Sequence, residues 1–176
     1  MKKLICIVGE SGSGKSAIYD GLRKRGFKVI DSFTTRPRRR ENERGHIFVS
    51  KEEFEAIRGN LVAYTMFNGY EYGTTREQIE TSDFYIIDPA GLDYLAEKVG
   101  RENLFVVYIY CGEKERLERM TRERGRKSAR ERINHDKDAF RNFLNHEKWD
   151  VCLANEHYYQ LTQIIEILSD KAKEMR

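Results

Sequence analysis

A glycine-rich segment near the start of the chain constrains its fold more than any other feature. The segment fits the pattern G-x-x-x-x-G-K-S/T in full, over Gly9, Glu10, Ser11, Gly12, Ser13, Gly14, Lys15 and Ser16. An apolar run at residues 4–8 precedes it, and a helical pattern at residues 17–25 follows it. In that setting glycines let backbone N–H groups surround a polyphosphate, and the helix N-terminus adds positive charge. The sequence therefore predicts a phosphate-binding loop.

Two residue types in this context point to ATP and magnesium. Lys15 is placed to reach the β- and γ-phosphates of ATP, and the hydroxyl of Ser16 is placed to ligate Mg²⁺. A second apolar run, residues 84–88, ends in Asp88. A carboxylate at that point is expected to hold Mg²⁺ through water, although Asp88 also suits a simple cap before Pro89.

The rest of the chain alternates short apolar runs with amphipathic stretches. Strands are predicted at residues 4–8, 28–30, 84–88, 105–110 and 151–154. Helices are predicted at residues 17–25, 92–99, 114–124, 129–146 and 158–173. Such alternation favours an α/β fold with a mainly parallel sheet covered on both faces, the three-layer arrangement of P-loop NTPases.

Residues 34–80 break this alternation. Ser50 and Glu53 form a capping-box pattern that opens a short helix. Two β-like pieces follow at residues 61–67 and 70–72, joined by Asn68-Gly69, a hairpin turn pattern. We therefore predict one domain over residues 1–176, with a core of 1–33, 81–112 and 147–176. An acceptor-binding, β-containing insert spans 34–80, and a helical lid spans 113–146.

Composition excludes several classes of protein. The chain has 176 residues, enough for one compact domain, and 35% of them are charged with a net charge of only +3. Its three cysteines, Cys6, Cys111 and Cys152, show no C-x-x-C spacing, so free thiols in a reducing compartment are expected. No apolar stretch reaches the length of a membrane span. A cytoplasmic protein without a membrane partner is expected, and the sequence carries no signal for an oligomeric state.

Arginines concentrate in two places. One is the segment Thr34-Thr35-Arg36-Pro37-Arg38-Arg39-Arg40, directly after the second predicted strand. The other runs from Lys114 to Arg132, where Ser128 is the expected N-cap of the second of two helices. A nucleic-acid partner is disfavoured, because its binding surface would carry a wider basic face and a larger net charge. Small phosphates are favoured, since guanidinium groups bind phosphate oxygens bidentately.

In combination these features resemble the guanylate kinase family over nearly the whole chain. The resemblance is carried by the phosphate loop, by Ser32-Phe33-Thr34-Thr35-Arg36-Pro37-Arg38-Arg39, by Phe48-Val49-Ser50, by Tyr72-Gly73-Thr74-Thr75, by Arg124-Gly125, by Arg132 and by Trp149-Asp150-Val151 through Asn155. It implies catalytic roles for Lys15, Arg36, Arg124 and Arg132. It also implies acceptor contacts from Ser32, Arg36, Arg39, Tyr72, Thr74 and Asp88, and an adenine contact from Asn155.

The chain departs from this family at the base-reading positions. His46 stands where the family has a tyrosine, Ala63 where it has a guanine-reading glutamate, and Ile86 where it has an acid. The loop between Arg39 and Phe48 is also shorter. Three functions stay open: a nucleoside monophosphate kinase that favours GMP or dGMP, a ribose 1,5-bisphosphate phosphokinase or kinase of another nucleotide, and a non-catalytic binding module. The first two take small-molecule nucleotides or sugar phosphates, with ATP as donor and Mg²⁺ as cofactor.

Overall fold

The computed structural model describes residues 3–175, and its centre is a four-stranded parallel sheet. The strand order is β6-β1-β7-β8. The strands are β1 (Leu4–Val8), β6 (Phe84–Ile86), β7 (Leu104–Tyr110) and β8 (Val151–Ala154). All pairings are parallel, so each strand ends at the same edge of the sheet.

Both faces of this sheet are buried. Leu4, Cys6 and Val8 of β1 point to one face, and Ile5 and Ile7 point to the other, as the two-residue period of a strand requires. The first face packs against apolar residues of helices α4 (Pro89–Val99) and α7 (Arg141–Asn145). The second face packs against α1 (Lys15–Lys24) and α8 (Tyr158–Glu174). This double cover explains why the strands read as continuous apolar runs, and it gives the predicted three layers.

Eight α-helices and two short 3₁₀ helices, Arg58–Asn60 and Arg101–Asn103, are formed within residues 3–175. The α-helices are α1 (Lys15–Lys24), α2 (Lys51–Ile57), α3 (Arg76–Thr81), α4 (Pro89–Val99), α5 (Glu113–Arg124), α6 (Arg126–Ala139), α7 (Arg141–Asn145) and α8 (Tyr158–Glu174). The capping box of α2 forms as predicted, because Ser50 Oγ accepts from the Glu53 N–H and Glu53 Oε2 accepts from the Ser50 N–H.

A second sheet covers most of the predicted insert. Its order is β3-β2-β5-β4, from β2 (Ser32–Thr34), β3 (His46–Phe48), β4 (Leu61–Phe67) and β5 (Tyr70–Thr75). β2 pairs parallel with β3 and antiparallel with β5. The β4–β5 hairpin turns at Asn68 and Gly69, whose φ angles are 50° and 77°, so the predicted turn is confirmed.

Three local predictions are wrong. The strand expected at 28–30 is a single parallel bridge from Val29 to Phe84, because the chain leaves the sheet edge at once to enter β2. The helix expected at 129–146 is two helices, since the N–H of Phe140 is shared between the carbonyls of Asp136 and Asp138 and the turn tightens there. Ser128 is not an N-cap, because α6 already begins at Arg126 after Gly125.

The cysteines are free within the described residues. Cys6 and Cys111 are buried, as predicted, and Cys152 is exposed. Between residues 3 and 175 there is no helix with the length and apolar character to cross a bilayer.

Candidate active site

A large cleft opens at the carboxyl edge of the parallel sheet. The phosphate loop (residues 9–16) follows β1, Asp88 follows β6 and Asn155 follows β8, so the topology brings all three to this edge. The cleft comprises two adjoining cavities of about 1270 and 640 Å³. The phosphate loop, residues of the second sheet and α6 of the predicted lid line it together.

The phosphate loop needs its glycines for geometric reasons. Gly14 has a φ of 99° and is the N-cap of α1, so the first turn of that helix begins at Lys15. Gly12 has a φ of 81°, and a Cβ there would lie 2.9 Å from the carbonyl oxygen of Arg116. A side chain at either position would therefore strain or displace the loop.

Lys15 lies folded across the loop. Its Nζ donates to the carbonyl oxygens of Gly9 and, at 3.0 Å, of Glu10. Burial lowers the pKa of Lys15 to about 8, and the carboxylates of Asp136 and Glu10 partly oppose this shift. The Lys15 ammonium is therefore a cation whose pKa lies close to the physiological pH range, and it belongs to the predicted phosphate-binding loop.

A buried ionic network supports the loop from beneath, and sequence reasoning missed it. Glu10 accepts from Tyr108 Oη at 2.7 Å and from Arg116 Nη2 at 3.2 Å. Arg116 also donates to the carbonyls of Cys111 and Ser11. Glu10 thus contributes backbone to the loop and turns its side chain away from it. Seven arginines lie between Lys114 and Arg132, and spacing alone does not distinguish Arg116 from the other six.

Asp136 of α6 joins this network. It is 7% exposed, and its Oδ2 accepts from the backbone N–H of Ser11 at 2.6 Å. The hydroxyl of Ser11 donates to Oδ1 at 3.3 Å, and Arg116 Nη1 lies 3.7 Å from Oδ2. A residue of α6, in the predicted lid, is therefore bonded directly to the phosphate loop.

Three of the predicted arginines converge on the cleft. Arg39, Arg124 and Arg132 all line it. Burial lowers the pKa of Arg132, and the positive charges of Arg124 and Arg39 lower it further. The pKa of Arg39 is lowered in the same way by burial, Arg36 and Arg124. In the described part of the chain neither Arg39 nor Arg132 forms an ion pair within 4.0 Å, whereas Arg124 Nε lies 3.5 Å from Glu123 Oε2. The more distant carboxylates of Glu43 and Asp136 partly oppose the lowering of the pKa of Arg39 and of Arg132.

Arg36 lies at the other end of the cleft, where it is 6% exposed. Its Nε donates to Tyr72 Oη at 3.2 Å. Its Nη2 donates to Glu43 Oε1 at 2.7 Å, and its Nη1 lies 3.3 Å from Glu43 Oε2. The same Glu43 accepts from the backbone N–H of Arg39 at 2.7 Å. Partial burial opposes ionisation of Glu43, yet these bonds lower its pKa to about 2.

The remaining acceptor residues surround Arg36. Ser32 Oγ lies 3.0 Å from His46 Nδ1, and the His46 ring meets the Tyr72 ring edge-on at 5.5 Å. Burial, together with the charge of Arg36, lowers the pKa of His46. A neutral imidazole thus completes a polar group of Ser32, Arg36, His46 and Tyr72.

Thr74 lies deeper, behind this group. It is fully buried, and its Oγ1 donates to Tyr85 Oη at 2.7 Å. Ala63 is buried beside it on β4, and Ile86 lines the cleft. No hydrogen-bonding side chain is present at either position, as the sequence states.

Ser16 and Asp88 form an oxygen donor set that fits Mg²⁺. Both line the cleft beside Lys15. Asp88 is also the N-cap of α4, where its Oδ1 accepts from the Gly91 N–H at 2.8 Å. Partial desolvation raises the pKa of Asp88, and the Gly91 and Ala90 amides and Lys15 oppose this. A hydroxyl and a carboxylate, completed by water, are ligands that Mg²⁺ prefers.

Asn155 lies under the phosphate loop. It is 4% exposed, and its Nδ2 donates to the Ser13 carbonyl at 2.8 Å. Its side-chain amide therefore supports the loop directly after β8.

Comparisons with known proteins agree with this site and fold. A family model described as guanylate kinase matches residues 1–171. No curated protein matches significantly. The crystal structure of guanylate kinase from Anaplasma phagocytophilum is similar over 97% of this chain and 87% of that chain, with 22% identity and a TM-score of 0.62.

Two further solved structures share the fold. An uncharacterized protein from Eubacterium ventriosum has 13% identity and a TM-score of 0.54 over 98% of this chain and 99% of that one. TT1252 from Thermus thermophilus has 16% identity and a TM-score of 0.53 over 97% of each chain. The family model covers the phosphate loop, the second sheet and the lid, and the chain therefore belongs to the guanylate kinase family, a family of nucleotide kinases.

Proposed function

We propose that this protein transfers the γ-phosphoryl group of ATP to the phosphate of a nucleoside monophosphate. The observation that supports this most is the meeting of Lys15, Arg39, Arg124 and Arg132 on one cleft between the phosphate loop and the Arg36 group. A non-catalytic module would have no need of several arginines lining the cleft between the two proposed phosphate sites.

In this proposal the protein supplies position and charge and forms no covalent intermediate. The phosphate loop and Lys15 hold the donor phosphates, while Arg36, Arg39, Tyr72 and Ser32 hold the acceptor phosphate. An acceptor phosphate oxygen attacks the γ-phosphorus in line with ADP as the leaving group, and Arg124 and Arg132 stabilise the charge that spreads over the transferring group. Ser16 and, through water, Asp88 would hold Mg²⁺, which would supply positive charge to the donor phosphates.

GMP or dGMP is the acceptor that the family indicates. Guanine presents an N1–H and a 2-amino group as donors, and Ala63 and Ile86 offer them no acceptor. Recognition of guanine in this chain would therefore have to use groups other than the side chains at these two positions. A nucleotide with another base, or ribose 1,5-bisphosphate, is the second candidate, because the phosphate-binding residues are retained while the carboxylates are absent at these two positions.

A coupled ADP-release assay with ATP and Mg²⁺ tests the proposal. The acceptors are GMP, dGMP, AMP, CMP, UMP, dTMP and ribose 1,5-bisphosphate, each at matched concentration. We expect turnover with at least one nucleotide and the highest kcat/KM with GMP or dGMP. Preference for another base or for the sugar bisphosphate would replace the guanine assignment. Absence of turnover with the whole panel would overturn the kinase proposal.

A further inference from the structure

Helix α6 of the predicted lid is bonded to the phosphate loop through the carboxylate of Asp136. Asp136 Oδ2 accepts from the Ser11 backbone N–H at 2.6 Å, and Asp136 Oδ1 accepts from the Ser11 hydroxyl at 3.3 Å. Both partners come from the same loop residue, so the contact fixes the position and the rotation of the helix at this point.

Arg132 lies one helical turn before Asp136 on the same helix. Residues at i and i+4 project from the same face of an α-helix and are separated by about 6 Å along its axis. Arg132 Nη1 accordingly donates to the Ser11 hydroxyl at 3.3 Å. The helix therefore places its carboxylate on the loop and its guanidinium directly beside the loop, toward the cleft.

The carboxylate of Asp136 is held in one arrangement by buried countercharge. Arg116 Nη1 lies 3.7 Å from Asp136 Oδ2, while Arg116 Nη2 donates to Glu10 at 3.2 Å. Arg116, Glu10 and Asp136 are 5%, 8% and 7% exposed. Moving Asp136 away would leave buried Arg116 with less compensation, and an uncompensated buried charge is costly. The network therefore favours this position of α6 over others.

We propose that Asp136 is a positioning residue that delivers the Arg132 guanidinium to the donor phosphates by anchoring α6 to Ser11. The inference rests on the proposed kinase function for its catalytic consequence. The anchoring step itself depends only on the contacts of Asp136 with the loop. A residue that acts through Arg132 must lose its effect when Arg132 is absent, which separates this role from a general contribution to folding.

A double-mutant cycle tests the proposal, with Asp136→Ala, Arg132→Ala and the double variant. We expect Arg132→Ala to lower kcat by about 100-fold or more, as loss of transition-state charge stabilisation does. Asp136→Ala is expected to lower kcat by roughly 10- to 100-fold, since a displacement of about 1 Å has effects of this order. The double variant should match Arg132→Ala within about threefold. If the fold-reductions in kcat of the two single variants multiply in the double variant, the proposal is overturned.

Two further variants control for folding. Asp136→Asn keeps an oxygen that accepts from the Ser11 N–H, so it should recover kcat relative to Asp136→Ala. Asp138→Ala removes an exposed carboxylate that pairs with Arg141, and it should leave kcat unchanged. If Asp136→Ala does not fold, the cycle is run with Asp136→Leu and Arg132→Ala, because leucine keeps the side-chain volume and removes both acceptor oxygens. Multiplied effects in that cycle would count against the role in the same way.

A binding measurement separates this inference from the proposed function. The dissociation constant of β,γ-imido ATP is measured, without turnover, for the unchanged protein, Asp136→Ala, Arg132→Ala and the double variant. Arg132→Ala should weaken binding by about fivefold when Asp136 is present and by less than about twofold when it is absent. If Arg132→Ala weakens binding equally with Asp136 present and absent, the positioning role is refuted. The expected pattern in a protein that is inactive with every acceptor would overturn the kinase proposal and leave the positioning role supported.

Discussion

In the proposed function, Lys15 is the residue whose ionisation most directly sets donor binding. Burial lowers its pKa to about 8, so the ammonium form dominates below pH 8 and is lost as the pH rises through that value. Only the charged form attracts the β- and γ-phosphates. We expect kcat/KM for ATP to be flat near pH 7 and to fall about tenfold per pH unit well above pH 8, as one proton is lost.

The measurement is a pH profile of initial rates at low ATP with saturating acceptor. Lys15→Arg is the matched control, because a guanidinium stays protonated over the whole range. Its residual kcat/KM should show no fall between pH 7 and 9.5. A decline at the same pH in the Lys15→Arg protein would assign the titration to another group.

Single residues differ in how far the sequence predicts them. The phosphate loop is a contiguous pattern whose backbone geometry is local, so its residues could be named from the chain alone. Asp136 could not, because its partner Ser11 lies 125 positions away and a lone aspartate on a charged helix carries no distinguishing pattern. Glu43 was missed for a related reason. It is one acid in a basic segment, and only the folded loop turns it back onto Arg36.

At the scale of elements, the loop of residues 35–45 between β2 and β3 has an unexpected property. Its own Glu43 carboxylate pairs with the guanidinium of Arg36, which we propose to hold the acceptor phosphate, and accepts from the backbone N–H of Arg39. The Nη groups of Arg36 are already engaged by Glu43 and by the Pro37 carbonyl. An arriving phosphate must therefore displace this carboxylate or bind beside it against charge repulsion.

We expect Glu43→Gln to lower the KM for the acceptor by about three- to tenfold, since loss of one charged competitor changes affinity by this order. The KM for ATP should change less than twofold. Glu41→Gln, an exposed acid of the same loop, is the matched control and should leave both constants unchanged. A higher acceptor KM in Glu43→Gln would instead show that Glu43 holds Arg36 in its binding orientation.

Elements were predicted well where local chemistry decides them. The β4–β5 hairpin follows from Asn68-Gly69, because both residues need positive φ. The strand predicted at 28–30 failed, since its apolar residues are buried beside β6 without extending the ladder beyond Val29. The break between α6 and α7 also escaped prediction, because residues 129–146 contain no glycine or proline to mark it.

At the scale of the whole molecule, one hydrogen bond joins the two sheets. Thr74 on β5 of the second sheet donates to Tyr85 on β6 of the parallel sheet at 2.7 Å. Both residues are buried, with exposed fractions of 0% and 5%. The bond therefore fixes the floor of the acceptor side relative to the edge of the parallel sheet.

We expect Tyr85→Phe to lower the free energy of unfolding by about 1–3 kcal/mol, because it leaves the buried Thr74 hydroxyl without its partner. Urea denaturation measures this change. Adding Thr74→Val should recover part of the loss, since removing both polar partners is less costly than removing one. Tyr158→Phe, at a side chain that is 91% exposed, is the control and should be neutral. A neutral Tyr85→Phe variant would contradict a structural role for this bond.

The arginines that line the cleft have a consequence beyond the proposed catalysis. Arg39, Arg124 and Arg132 repel one another in the free protein, and each bound phosphate group relieves that repulsion. Ligands that bind only the folded state raise its stability by mass action. The resistance of this chain to proteolysis should therefore rise and fall with the concentration of nucleoside triphosphates. The lifetime of the protein would then depend on how much ATP is present around it.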